Sequence, residues 1–118
     1  DLMLKQKTIM HKGASMRLGS YPCRVTKQTK ARTAYKKIKI FERHRHRYEV
    51  NNKYVKQLVN QGLVISGMNE KLNLVEMIEL KDHPWFVGVQ FHPELKSRVL
   101  KSHPLFKDFI SAAVDYQC

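Results

Sequence analysis

The sequence predicts an α/β domain, on three observations. The run Trp85-Phe86-Val87-Gly88-Val89-Gln90-Phe91 is apolar and rich in aromatic and β-branched side chains, the pattern of a strand buried on both faces. Two further stretches, 39–50 and 72–80, alternate with the period of two that a strand imposes. Residues 53–61 and the stretch from Pro104 gather their apolar side chains at helical spacing.

Taken in order, residues 7–17 show little periodicity, and Lys12-Gly13-Ala14-Ser15 reads as a loop. Residues 16–25 alternate as a strand interrupted at Gly19, and Pro22 pushes that strand toward a sheet edge. Residues 26–33, with three basic side chains, read as a solvated turn or the start of a short helix. In 39–50, Arg43, Arg45 and Arg47 share one strand face, and His44, His46 and Tyr48 the other. Asn51-Asn52 can cap a helix over 53–61 with Tyr54, Val55, Leu58 and Val59 on one side, and Gly62 stops it. Residues 63–67 form a short strand and 68–71 a turn. The strand over 72–80 then places Leu72, Leu74, Ile78 and Leu80 on one face, with Glu76 as its polar exception. Residues 81–84 turn into the central strand. After a basic loop over 95–102, Pro104 takes the first position of a helix whose stripe of Leu105, Phe109, Ile110 and Ala113 reads as core packing.

Composition narrows the class. A chain of 118 residues supports one modest core. No apolar run approaches the roughly 20 residues a membrane-spanning helix needs. Asp1 and the residues after it offer neither an initiating Met nor a signal-peptide core, so the chain reads as starting inside something longer. Cys23 and Cys118 are too few for a disulfide framework, and a reducing, cytoplasmic setting is expected. Cys23 follows Pro22, without the glycine-flanked turn that exposes a nucleophile, and reads as structural. The net charge of +12 is uneven: residues 1–60 carry 16 Lys/Arg against 3 Asp/Glu, and residues 61–118 carry 6 against 7. Such asymmetry suits a phosphate- or nucleic-acid-binding face, or equally a solvated basic surface. His44 and His46 could belong to a metal site, but a third ligand at metal spacing is missing.

The central strand ends in His92-Pro93-Glu94. Residues two apart on a strand share a side, so Glu94 can accept the proton of one imidazole nitrogen of His92 and leave the other basic. Pro93 limits the backbone between them. A strand that simply ends in His-Pro, followed by a surface Glu, would look the same.

Several stretches together resemble the carboxyl-terminal half of the glutaminase domain of the CTP synthase family. They are Met16-Arg17-Leu18-Gly19, Glu42-Arg43-His44-Arg45-His46-Arg47-Tyr48-Glu49-Val50-Asn51-Asn52, Leu74-Val75-Glu76, His83-Pro84-Trp85-Phe86, Gln90-Phe91-His92-Pro93-Glu94 and His103-Pro104-Leu105-Phe106. Phe-His-Pro-Glu alone would indicate only the wider class I (triad) glutamine amidotransferases. The Arg-His-Arg-His-Arg-Tyr-Glu-Val-Asn-Asn block carries the narrower match.

The resemblance implies that residues 1–118 are the C-terminal part of a class I glutamine amidotransferase domain, flavodoxin-like, with a mixed sheet flanked by helices. It implies hydrolysis of the glutamine amide by a Cys-His-Glu triad, the ammonia passing to a synthetase domain that aminates UTP to CTP with ATP and Mg2+. On the matching motifs, His92 becomes general base and then acid, Glu94 its orienting carboxylate, and Arg47 the binder of L-glutamine, with Tyr48 and Glu49 beside the same pocket. No metal site is implied in this segment. The nucleophile elbow, the glycine-rich oxyanion segment and the synthetase domain are not in this sequence, and Gly13-Ala14-Ser15 stands where the family has Gly-Gly-Thr. Expected partners are therefore L-glutamine and the N-terminal remainder of the same enzyme, in a homotetramer built through the synthetase domain. The isolated chain is expected to be inactive and to associate through an unpaired sheet edge and an uncovered apolar face. Two other readings compete: a nucleic-acid-binding module using the arginine stripe, and a repurposed fragment serving only as an interaction surface.

Overall fold

The computed structural model describes residues 16–117. The loop expected over 12–15 and Cys118 lie outside the described residues. Strand β1 (Arg17–Val25) leads through a turn to helix α1 (Lys30–Tyr35), then β2 (Lys39–His46). A 3-10 turn (Asn52–Tyr54) runs into helix α2 (Val55–Asn60), followed by β3 (Leu63–Asn69), β4 (Leu74–Leu80) and β5 (Val87–Val89). A second 3-10 turn (Pro93–Leu95) precedes helix α3 (Pro104–Tyr116).

The five strands form one sheet in the order β2-β1-β3-β4-β5, and every ladder among the described residues is antiparallel. The expectation of a mixed sheet is corrected to this extent. Parallel neighbours need long crossovers, and the turns joining β3 to β4 and β4 to β5 are short. Gly19 adopts φ +93°, which accounts for the break read at that point, yet pairing with His44 continues across it. β1 is not an edge strand, since it lies between β2 and β3. Its ladder with β3 covers only Arg24↔Met68 and Val25↔Gly67, so Pro22 needs no N–H on that side.

Cys23, Val25, Ile40 and Met77 from the sheet, Phe91 just past β5, and Ala31 and Leu105 from the helices make the core. Gly67 is required there: a Cβ would meet the Met77 Cε at 2.6 Å and the Cys23 Sγ at 2.8 Å. Burial along β2 alternates as expected, with Ile40, Glu42 and His44 inside and Phe41, Arg43 and Arg45 outside. β4 departs from its expected pattern, because Leu74, Val75, Glu76 and Met77 are all buried. A register irregularity opposite Gly67 disturbs the alternation. β4 also begins at Leu74 rather than Leu72. Asn73 at φ +53° and the Asn69 side chain, accepting from the Leu72 N–H at 3.0 Å, make 70–73 a turn.

Helix ends follow the local chemistry. Thr29 caps α1, and the Glu79 carboxylate accepts from the Lys30 and Ala31 N–H groups at 2.9 and 2.8 Å. Asn51 caps the turn before α2, and Gly62 follows that helix at φ +105°. The His103 side chain caps α3 by accepting from the Leu105 N–H, while its Nε2 donates to buried Glu42 at 2.5 Å. The Tyr35 hydroxyl donates to the same carboxylate, tying α1, β2 and α3 together.

Two further expectations are corrected. The segment 85–91 is a strand only over Val87–Val89, half-buried at the edge of the described sheet. The stripe of α3 is largely uncovered: Leu105 is buried, but Phe109 and Ile110 are exposed, and so are Leu58 and Val59 on α2. An apolar stripe identifies a face that needs cover, and the cover is a tertiary property.

Candidate active site

The end of β5 is held against two strands. The Gln90 N–H donates to the Glu76 carbonyl on β4 at 2.9 Å, and the His92 N–H donates to the Arg43 carbonyl on β2 at 2.9 Å. Between them Phe91 is buried, its ring 5.9 Å from that of His44. Pro93 then starts the 3-10 turn, closed by hydrogen bonds from the Leu95 N–H to the His92 carbonyl and from the Lys96 N–H to the Pro93 carbonyl. Lys96 Nζ donates to the Phe41 carbonyl, a second tie to β2.

This turn folds Glu94 back on the imidazole, with His92 Nδ1 2.8 Å from Glu94 Oε2. The hydrogen bond from His92 holds the Glu94 carboxyl below the usual carboxylate range. With Nδ1 donating to the carboxylate, Nε2 is the nitrogen left for proton transfer. The two side chains are 40% and 59% exposed, so the pair is open to a partner or substrate.

Arg47 is exposed and stands one residue past the end of β2. It follows the strand whose Arg43 carbonyl anchors His92, four residues or roughly 13 Å of extended chain away. His92 and Glu94 are thus in direct contact, and Arg47 is linked to them through the β2 backbone.

Cys23 is buried, and its thiol donates weakly to the Arg24 carbonyl. Burial, with the Glu76 and Glu42 carboxylates near, pushes the thiol up to about 12. It stays protonated at neutral pH, as a structural cysteine does.

Sequence reasoning left Glu76 without a role, and the structure supplies one. Its carboxylate accepts from Arg17 Nη1 at 2.8 Å and Nη2 at 3.0 Å, and lies 2.9 Å from His44 Nε2. His44 Nδ1 meets His46 Nε2 at 2.8 Å. His46 Nδ1 faces the Tyr48 carbonyl at 3.0 Å and Glu49 Oε2 at 3.2 Å. Glu49 Oε1 accepts from Arg17 Nη1 at 3.0 Å and closes the ring. The signal available in sequence was the pairing of histidines on the inward face of β2 with one carboxylate in an apolar strand.

Carbonyl and carboxylate oxygens only accept, so His46 Nδ1 is the donor toward Tyr48 and Glu49. A hydrogen bond joins His44 Nδ1 and His46 Nε2, and His44 Nε2 lies against the Glu76 carboxylate without an aligned hydrogen bond. Burial opposes charge on Glu76, but His44 and Arg17 outweigh it and hold the carboxyl below its usual range. Burial likewise opposes charge on Arg17, but Glu76 and Glu49 raise its hold on the proton.

The fold and this site define a class. The family profile of glutamine amidotransferase class-I matches residues 2–112, and the chain belongs to that family. Within it, the chain is similar to CTP synthases. It is 59% identical over 117 residues to the CTP synthase of Chlorobium phaeobacteroides, covering 99% of this chain and 21% of that protein. Against the CTP synthase of Caldanaerobacter subterraneus it is 58% identical over 115 residues, covering 98% and 21%. The solved glutaminase domain of Trypanosoma brucei CTPS with bound acivicin superposes with a TM-score of 0.80 at 34% identity, covering 87% of this chain and 41% of that one. The chain corresponds to part of a glutaminase domain and spans about a fifth of the length of the curated relatives it matches.

Proposed function

We propose that this chain carries the base, its orienting carboxylate and a substrate anchor of a CTP synthase glutaminase site, while the remainder of the enzyme carries the nucleophile. The His92–Glu94 contact at 2.8 Å supports this reading most directly. His92 Nε2 takes the proton of a cysteine thiol outside this chain as the sulfur attacks the glutamine amide carbon. The same proton passes to the leaving nitrogen, and ammonia departs. Water, deprotonated by His92, then hydrolyses the thioester to glutamate and restores the thiol. Glu94 stabilises the imidazolium in both halves. The Arg47 guanidinium pairs with the substrate carboxylate through its fork of donors.

Cys23 cannot supply the nucleophile, being buried and protonated. In this reading the nucleophile lies outside the chain, and the isolated chain is inactive as a glutaminase. In the same reading ATP and Mg2+ serve a synthetase domain outside this chain, where ammonia aminates UTP. The apolar groove between β5 and α3, about 330 Å³ and lined by Trp85, Phe86, Phe106 and Phe109 among others, is the seat of the domain's N-terminal remainder. Assembly is a homotetramer through the synthetase domain. No helix among the described residues is long and apolar enough to cross a membrane, and the proposed location is the cytoplasm.

The test is His92→Ala in a full-length CTP synthase carrying this segment. Glutamine-dependent CTP formation should fall at least about 1,000-fold, with ammonia-dependent synthesis retained. Retained glutaminase activity would remove His92 from the mechanism.

A further inference from the structure

The chemical step makes no use of the ring Arg17–Glu76–His44–His46–Glu49, although its side chains are at most 14% exposed. Replacing buried ion pairs with apolar packing is often neutral or stabilising, so a ring of this kind calls for a reason beyond stability. Its position gives one. His46 and Glu49 flank Arg47 and Tyr48, and both are tied to the sheet interior, through His44 and Arg17 respectively. His46 Nδ1 also holds the Tyr48 carbonyl, the acceptor immediately after Arg47. The segment that leaves β2 is thus clamped on both sides of one exposed guanidinium.

We propose that Arg17, His44, His46, Glu49 and Glu76 are positioning residues that fix the backbone presenting Arg47 to the carboxylate of glutamine. The inference rests on the reading of Arg47 as the substrate anchor. The guanidinium approaches its ligand from a backbone the ring has already placed, so little freedom is lost on binding.

The two ring nitrogens of His46 can be tested separately in a full-length CTP synthase carrying this segment. An Asn side chain places its amide near the position of Nδ1, and a Gln side chain near that of Nε2. His46→Gln keeps the link to His44 and loses the Tyr48 carbonyl; His46→Asn does the reverse. Arg47→Ala should raise the KM for glutamine about 10-fold or more. His46→Gln and Glu49→Gln should raise it about 10-fold, with ammonia-dependent synthesis unchanged. His46→Asn should recover most of the loss. Combining His46→Gln with Arg47→Ala should add little to Arg47→Ala alone. If Arg47→Ala raises KM but the two His46 variants behave alike, the positioning role fails and the anchor reading survives. If Arg47→Ala leaves KM unchanged, the anchor reading itself fails. Loss of ammonia-dependent synthesis and of thermal stability in both His46 variants would make the ring a structural support only, and would overturn the proposal.

Discussion

Glu76→Gln is the sharpest perturbation of the buried ring. The carboxylate serves Arg17 Nη1 through Oε1, and both Arg17 Nη2 and His44 Nε2 around Oε2. A neutral amide has one oxygen and one NH2. With its oxygen toward His44, the NH2 faces Arg17 Nη1 at 2.8 Å; flipped, it faces two donors at 3.0 and 2.9 Å. Either way a donor meets a donor, and Arg17 loses one of its two buried carboxylate partners. Removing one partner of a buried ion pair costs about 3–5 kcal/mol. Hydrogen exchange of β1 and β4 amides in the full-length protein should then quicken by about 100-fold to about 4,000-fold near neutral pH. The pH dependence has a definite sign. The Glu76 carboxyl is held below its usual value in the folded state. Its contribution is therefore complete above the unfolded value of about 4.5 and is lost as pH falls through the folded value. Parent and variant should converge on acidification. Exchange within about threefold of the parent at neutral pH, or a gap that widens in acid, would refute the reasoning.

Two further outcomes follow from the structure. Cys23 should resist iodoacetamide in the native protein and react only on unfolding, because its thiol is buried and raised to about 12; peptide mapping of modified Cys23 from folded protein would contradict this. The isolated chain should elute from size exclusion as an associated species, through the β5 edge and the exposed Phe109, Ile110 and Val114 of α3. Phe109→Lys with Val114→Lys should lessen that association, and a monomer before substitution would show that these surfaces need no cover.

The site was more legible in sequence than the sheet around it. A His and a Glu two apart after an apolar run describe a local geometry, and local geometry is what a short motif specifies. The inward histidines of β2 were likewise legible, because side-chain alternation is a property of the strand itself. The helix stop at Gly62 and the helix start at Pro104 were readable for the same reason. Glu76 was not: its side-chain contacts cross from β4 to Arg17 on β1 and His44 on β2, and sequence separation conceals them. Burial misled where it depends on neighbours, so that Val87–Val89 proved a half-buried edge and the α3 stripe largely uncovered.

By itself, the sequence determined the alternation of β2, the caps and turns, and a histidine and glutamate set close together after a strand. Only the tertiary structure decided that Arg17, His44, His46, Glu49 and Glu76 close into one buried ring beside the segment bearing Arg47. Chain-local periodicities are written residue by residue, whereas charge compensation in a dry interior depends on which strands the fold lays side by side.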